Sequence, residues 1–208
     1  LKFCGSSVAN PKNIEKVLNI VANSSAEQNV VVVVSAFGKT TNALIKGATL
    51  ASQKNEEYLK VLKELENHHF EVVKELIPVK HQTPVNSHVK QLFNQLETIY
   101  EGCFLLRELS PKTLAKVSSF GELLSSYIIA KAANEEFTTV YKDSRELIVA
   151  SDNYNNANVD FPTTFKKCDE YFSTHSQKVT IIPGFVARTI HGKTTTLGRG
   201  GSDFTASI

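Results

Sequence analysis

Val30-Val31-Val32-Val33-Val34 is an unbroken run of five β-branched residues, followed by Ser35-Ala36-Phe37-Gly38. It is too short for a helix and apolar at every position, so the strand it forms needs cover on both faces. A buried strand of a parallel sheet with helices on each side meets that need. Upstream, Leu1-Lys2-Phe3 is a short apolar segment, then Gly5-Ser6-Ser7, then Asn10-Pro11. Asn10 is an N-cap and Pro11 sits at the first helical position, where a missing N–H costs nothing. Ile14, Val17, Leu18 and Val21 recur at helical spacing, giving that helix one apolar face. The order is strand, loop, helix, strand.

Downstream, the pattern predicts helices over Asn42–Gln53, Glu56–Leu76 and Asn86–Cys103. In the last of these Val89, Leu92, Phe93, Leu96, Ile99, Tyr100 and Cys103 form one stripe, read as core. Pro111 opens a helical stretch that restarts at Ser118-Ser119 and runs on through Glu122-Leu123-Leu124 to Ile128 and Ile129. Thr138–Tyr141 and Lys178–Ile182 are strand-like, and Pro183-Gly184 ends the second. Val186-Ala187-Arg188 and Thr194-Thr195-Thr196 form a hairpin around His191-Gly192. Ser151–Asn158, rich in asparagine, is the most linker-like stretch. The expected class is α/β: a three-layer α/β/α sandwich around a mostly parallel sheet.

The chain has 208 residues, 23 basic and 21 acidic, for a net charge of +2 with no basic block. That argues against nucleic acid as a partner. Cys4, Cys103 and Cys168 are too scattered for a disulfide framework or a CxxC metal site, so a reducing, cytoplasmic setting is expected. No stretch approaches the ~18 apolar residues of a membrane span. The chain lacks methionine, starts within an apolar segment and stops just after a helix start. It reads as a piece of a longer protein.

In parallel sheets ligands gather at the carboxyl ends of the strands. Three segments are suited to that place: Lys2 with Gly5-Ser6-Ser7, Ser35 to Asn42, and Leu197 to Ser202. Small residues there let backbone approach a ligand, and hydroxyls or a cation suit phosphate or carboxylate. Gly38-Lys39-Thr40 and Gly192-Lys193-Thr194 resemble the end of a P-loop, but Val33 and Ala187 stand where its first glycine belongs. No G-x-G-x-x-G joins the first strand to the first helix either. His68-His69 lies on a helix without metal-ligand spacing. Glu122, among Ser118, Ser119, Ser125 and Ser126, is either the partner of a substrate ammonium or a favourable charge near a helix start.

Together these segments resemble the aspartate kinase family of the amino acid kinase superfamily. Lys2-Phe3-Cys4-Gly5-Ser6-Ser7-Val8-Ala9 is similar to its opening KFGGTSVA, Val32-Val33-Val34-Ser35-Ala36 with Thr41-Asn42 to its VVxSA…TN, and Ser119-Phe120-Gly121-Glu122 to its SxGE. Thr195 to Ala206 resembles TTLGRGGSDYTA, the most specific block. The resemblance implies the carbamate kinase-like fold and ATP-dependent phosphorylation of the L-aspartate side-chain carboxylate. It assigns catalysis to Lys2 and Asp203. ATP phosphates would meet Lys2, Gly5 and Ser6, with Mg²⁺ as cofactor and no protein metal site. Ser35, Thr41, Glu122, Phe185, Arg199, Ser202 and Asp203 would surround aspartate, Arg199 on its α-carboxylate and Glu122 on its α-ammonium.

Cys4 stands where the family has glycine and Ser6 where it usually has threonine; a thiol pointing into the pocket would weaken ATP binding. The resemblance makes residues 1–208 the N-terminal substrate-binding part. The nucleotide-binding half, paired ACT domains and any fused homoserine dehydrogenase would lie beyond, so this piece alone would turn over poorly. A homo-oligomer is implied for the whole enzyme. Two alternatives remain: a superfamily kinase with another acceptor, and a non-catalytic amino-acid sensor.

Overall fold

The computed structural model describes residues 1–208. Strand β1 (Lys2–Phe3) leads through a turn to helix α1 (Pro11–Ser25), whose cap is Asn10: its Oδ1 accepts the Asn13 N–H at 3.0 Å. Ile14, Val17, Leu18 and Val21 are buried as the spacing requires. Strand β2 (Val30–Val34) follows, and then helices α2 (Thr40–Ser52), α3 (Glu57–Leu76), α4 (Val79–Leu106) and α5 (Pro111–Ala133). Strand β3 (Thr139–Tyr141), a 3₁₀ turn at Ser144–Glu146, strand β4 (Val149–Ala150) and helix α6 (Phe161–Thr174) come next. Strands β5 (Val179–Pro183), β6 (Val186–Thr189) and β7 (Thr194–Thr196) and helix α7 (Gly201–Ser207) complete the chain.

The main sheet is parallel throughout, in the order β1-β2-β5-β3. Alternation along β2 sends Val30, Val32 and Val34, with Val179 and Ile181 of β5, into the large core built with α1 to α5. Each valine fully removed from water there contributes roughly 1.5–3 kcal/mol. On the opposite face Val31, Val33 and Ile182 border an apolar groove with Leu147, Phe172 of α6 and Ala206 of α7. Helices therefore lie on both sides of the sheet, the sandwich that the valine run predicts. A smaller sheet, β4-β6-β7, carries the expected hairpin as its antiparallel pair.

Three expectations need correction, and two elements went unpredicted. Helix α5 does not restart at Ser118-Ser119 but runs unbroken, because the serines bond back to their own helix: Ser119 Oγ donates to Lys116 O at 2.7 Å and Ser126 Oγ to Glu122 O at 2.6 Å. Helix α4 begins seven residues before Asn86, with Pro84 inside it. Proline there forfeits one helical N–H, a local cost that packing of the later turns outweighs. Ser151–Asn158 is no linker: Thr196 N–H donates to Tyr154 O at 2.9 Å and Ala157 N–H to Thr196 O at 3.0 Å, pinning the loop to β7. Helix α6 and strand β4 were not foreseen, although Asp160 caps α6 by accepting the Thr163 N–H at 3.2 Å.

Candidate active site

The carboxyl ends of β1, β2 and β5 open into a cleft of about 280 Å³. Lys2, Ser35, Thr41, Glu122, Phe185, Ser202 and Asp203 line it, together with the backbone of Gly198, Gly200 and Gly201. These residues span nearly the whole sequence. Lys2 comes from β1, Ser35 from the loop after β2, Thr41 from the first turn of α2, Glu122 from α5, Phe185 from the turn after β5, and Ser202 and Asp203 from α7.

Lys2 Nζ lies 2.8 Å from Asp203 Oδ1, so the first strand and the last helix meet through an ion pair at the rim. Glu122 occupies the middle of α5 and is 5% exposed. Its position so far from a helix end removes the helix-start reading of this carboxylate. Burial pushes its carboxyl up to about 8, against the opposing N–H groups of Ala36 and of Glu122 itself. Glu122 Oε2 has no hydrogen-bond partner. An unpartnered buried carboxylate oxygen is costly, and Glu122 borders the cleft, where a cationic ligand would supply the missing partner.

The scaffold around this carboxylate is tight. A Cβ on Gly121 would fall 2.8 Å from Ala36 Cβ, so only glycine lets α5 approach the β2–α2 connection there. Ser125 Oγ donates to Ser35 O at 2.9 Å and ties the same two segments. At the first turn, Gly38 N–H donates to Gly5 O at 3.1 Å and Asn13 Nδ2 to Ser6 O at 3.0 Å. The N–H groups of Gly5 and Ser6 meet no backbone carbonyl. This is a braced turn in which the Ser6 N–H faces the Cys4 sulfur and the Gly5 N–H is left for a ligand such as phosphate.

Not every candidate residue lines the cleft. Arg199 is exposed beside it, flanked by Gly198 and Gly200 at positive φ. Gly5 and Ser6 belong to the turn after Lys2 and outside the cleft wall. Cys4 does not face the cleft. Its Sγ sits 3.0 Å from Ser6 Oγ and 3.2 Å from Ser7 Oγ, contacts that lower the thiol to about 6. The supporting contacts of Ser125, Tyr154 and Thr205 escaped the sequence reading, since a hydroxyl or a carbonyl that props another segment leaves no local pattern.

A parallel α/β sandwich with a charged cleft at its strand ends is a domain built to hold a small polar ligand. The chain belongs to the amino acid kinase family, whose sequence pattern matches residues 1–208. A bifunctional aspartokinase/homoserine dehydrogenase of Buchnera aphidicola is 28% identical over 100% of this chain and 26% of that protein. Aspartokinase 1, chloroplastic, of Arabidopsis thaliana is 33% identical over 100% of this chain and 37% of its own length. Among solved structures, E. coli aspartokinase III in complex with lysine and aspartate superposes with a TM-score of 0.87 at 26% identity, covering 99% of this chain and 45% of that one. The chain thus spans less than half the length of each.

Proposed function

We propose that this chain is the N-terminal, substrate-binding part of an aspartate kinase, holding L-aspartate in the cleft for phosphorylation of its side-chain carboxylate by ATP. The observation that carries the reading is the buried, unpartnered Glu122 oxygen in a cleft whose rim holds Lys2. An amino acid's α-ammonium satisfies that oxygen with a charge-assisted bond, which an acetylated amine or a nucleobase, being neutral donors, cannot supply. Arg199, Ser202 and Thr41 are the donors for the α-carboxylate. The side-chain carboxylate then points toward Lys2, and as an adequate nucleophile it needs alignment and charge neutralisation more than a base. The names of the relatives agree with this reading.

Lys2 and the N–H groups of Gly5 and Ser6 are the groups suited to the ATP phosphates. No cluster of three or more His, Cys, Asp or Glu side chains is placed to hold a metal. A magnesium ion would be carried on the ATP phosphates, taking most of its ligands from nucleotide and water. When bound it neutralises phosphate charge. Asp203 orients Lys2. A nucleotide-binding half and regulatory domains beyond residue 208, a homo-oligomeric whole and a cytoplasmic setting belong to the same proposal. No helix is long and apolar enough to cross a membrane.

Hydroxylamine trapping of the acyl phosphate tests the proposal on the full-length protein, with Mg-ATP and either L-aspartate or L-glutamate. Hydroxamate from aspartate alone, lost in Lys2→Ala, is the expected result. Aspartate binding by calorimetry without any hydroxamate would replace the kinase with an amino-acid sensor; hydroxamate from glutamate alone would change the acceptor.

A further inference from the structure

We infer that Thr205 is a positioning residue for the amino-acid cleft, its hydroxyl locking the Gly184-Phe185 turn to the start of α7. The inference rests on the function proposed above. Phe185 is a non-glycine residue at φ +68°, a backbone state that persists only where the surroundings hold it. Thr205 Oγ1 accepts the Phe185 N–H at 3.0 Å and donates its own proton to Gly201 O at 2.8 Å. The second bond alone would be the ordinary back-bond of a helical threonine. The first is not, because it reaches 20 residues back to a residue that lines the cleft.

The other bonds holding this turn come from backbone. Gly184 N–H donates to Val34 O at 2.9 Å and Leu197 N–H to Phe185 O at 2.9 Å. Neither reaches α7. Packing across that junction is already at contact distance: a Cβ on Gly184 would lie 2.6 Å from Ser202 Cβ, and one on Gly201 2.9 Å from Phe185 Cδ2. With so little slack, movement of Phe185 is transmitted to Ser202 and Asp203, and through the Asp203 ion pair to Lys2. Thr205, 4% exposed, touches none of the cleft space itself. It acts through Phe185.

The test is the hydroxamate assay on the full-length protein, varying aspartate and ATP separately for Thr205→Val and Thr205→Ser. Valine keeps the shape and removes the hydroxyl; serine keeps the hydroxyl. A misplaced cleft wall predicts an aspartate KM raised about tenfold or more in the valine variant, an ATP KM within about twofold, and near-normal values with serine. A purely structural role would lower the amount of active protein and leave both KM values alone. An unchanged aspartate KM in a folded valine variant overturns the inference. A tenfold rise with serine does the same, whether or not the valine variant folds. If the unmodified protein makes no aspartyl hydroxamate and binds no aspartate, the function reading fails first and takes this inference with it.

Discussion

Lys2 Nζ and Asp203 Oδ1, 2.8 Å apart, join residues separated by nearly the whole chain. The pair is unequal: the Lys2 side chain is 21% exposed and that of Asp203 70%. So open a pair contributes only about 0–1 kcal/mol to stability. Under the proposed function its consequence is geometric, because the pair fixes the Lys2 ammonium at the cleft rim. Lys2→Ala should lower kcat by about 10²–10³, the scale for losing one preorganised charge-stabilising group, and barely move the melting temperature. Steady-state rates with thermal melts check both halves. A large fall in melting temperature would mean that the pair is structural.

Glu122 yields a prediction about protons. Its carboxyl is raised by burial from the ordinary 4.5 to about 8, so near pH 7 the empty cleft holds it protonated. An arriving ammonium favours the ionised form. Aspartate binding between about pH 5 and 7.5 should therefore release up to one proton, read by calorimetry in buffers of different ionisation enthalpy. Glu122→Gln should abolish the release. Binding enthalpies that do not depend on the buffer would mean that the carboxylate is already ionised.

The same shift fixes a stability trend. Below pH 4.5 folded and unfolded chains both hold the proton. Between 4.5 and 8 only the folded one does, so this contribution is full below 4.5 and declines until it is lost above 8. Buried His69, lowered to about 4, acts in the opposite sense: its contribution is present above 6.5 and lost as pH falls toward 4. In melting scans without ligand, Glu122→Gln should flatten the decline from pH 6.5 to 8, let the opposing His69 rise show between 4.5 and 6.5, and leave the region below 4.5 unchanged. An unaltered slope above pH 6.5 would contradict the burial argument.

How much of this was legible in the sequence depends on the range of the signal. Val30–Val34 announced a two-faced strand because every residue of it repeats the same message. Asn10-Pro11 marked the start of α1 by a cap whose physics is local. The cleft-lining residues came from motif resemblance, and the fold brings Lys2, Ser35, Thr41, Glu122, Phe185, Ser202 and Asp203 to one cavity. Helix α6 was missed although its signal is local: Asp160 caps it, and Phe161, Phe165, Cys168 and Phe172 recur at helical spacing. The break predicted at Ser118 failed because serine favours caps only where its hydroxyl lacks a carbonyl one turn back. Props such as Ser125 on Ser35 are contacts between distant segments.

Gly47 tests the helical layer. Tyr100 is fully buried and donates its hydroxyl proton to Leu44 O at 2.7 Å. A Cβ on Gly47 would lie 2.7 Å from that hydroxyl oxygen and 2.8 Å from two ring atoms. The ring has no free space to retreat into. Overpacking of this kind costs about 1–3 kcal/mol, against a gain near 1 kcal/mol from alanine's better helix propensity. Gly47→Ala should thus lower the urea midpoint, with a net loss of up to about 2 kcal/mol. A raised midpoint would mean that α4 shifts outward at little cost.

Arg199 poses the remaining question about the cleft, because the resemblance gives it the substrate α-carboxylate while the structure leaves it exposed between Gly198 at φ +77° and Gly200 at φ +75°. Two glycines in that backbone state allow the intervening residue to swing without the penalty a side chain would impose. A guanidinium fork that closes on a carboxylate makes paired charge-assisted bonds that an ammonium cannot copy. At about 1.5–3 kcal/mol for a charged hydrogen bond, Arg199→Lys should raise the aspartate KM about 10- to 100-fold and spare that for ATP. Steady-state kinetics with each substrate varied in turn check it. An unchanged aspartate KM would leave Arg199 at the surface and assign the α-carboxylate to Ser202 and Thr41, the donors that already line the wall.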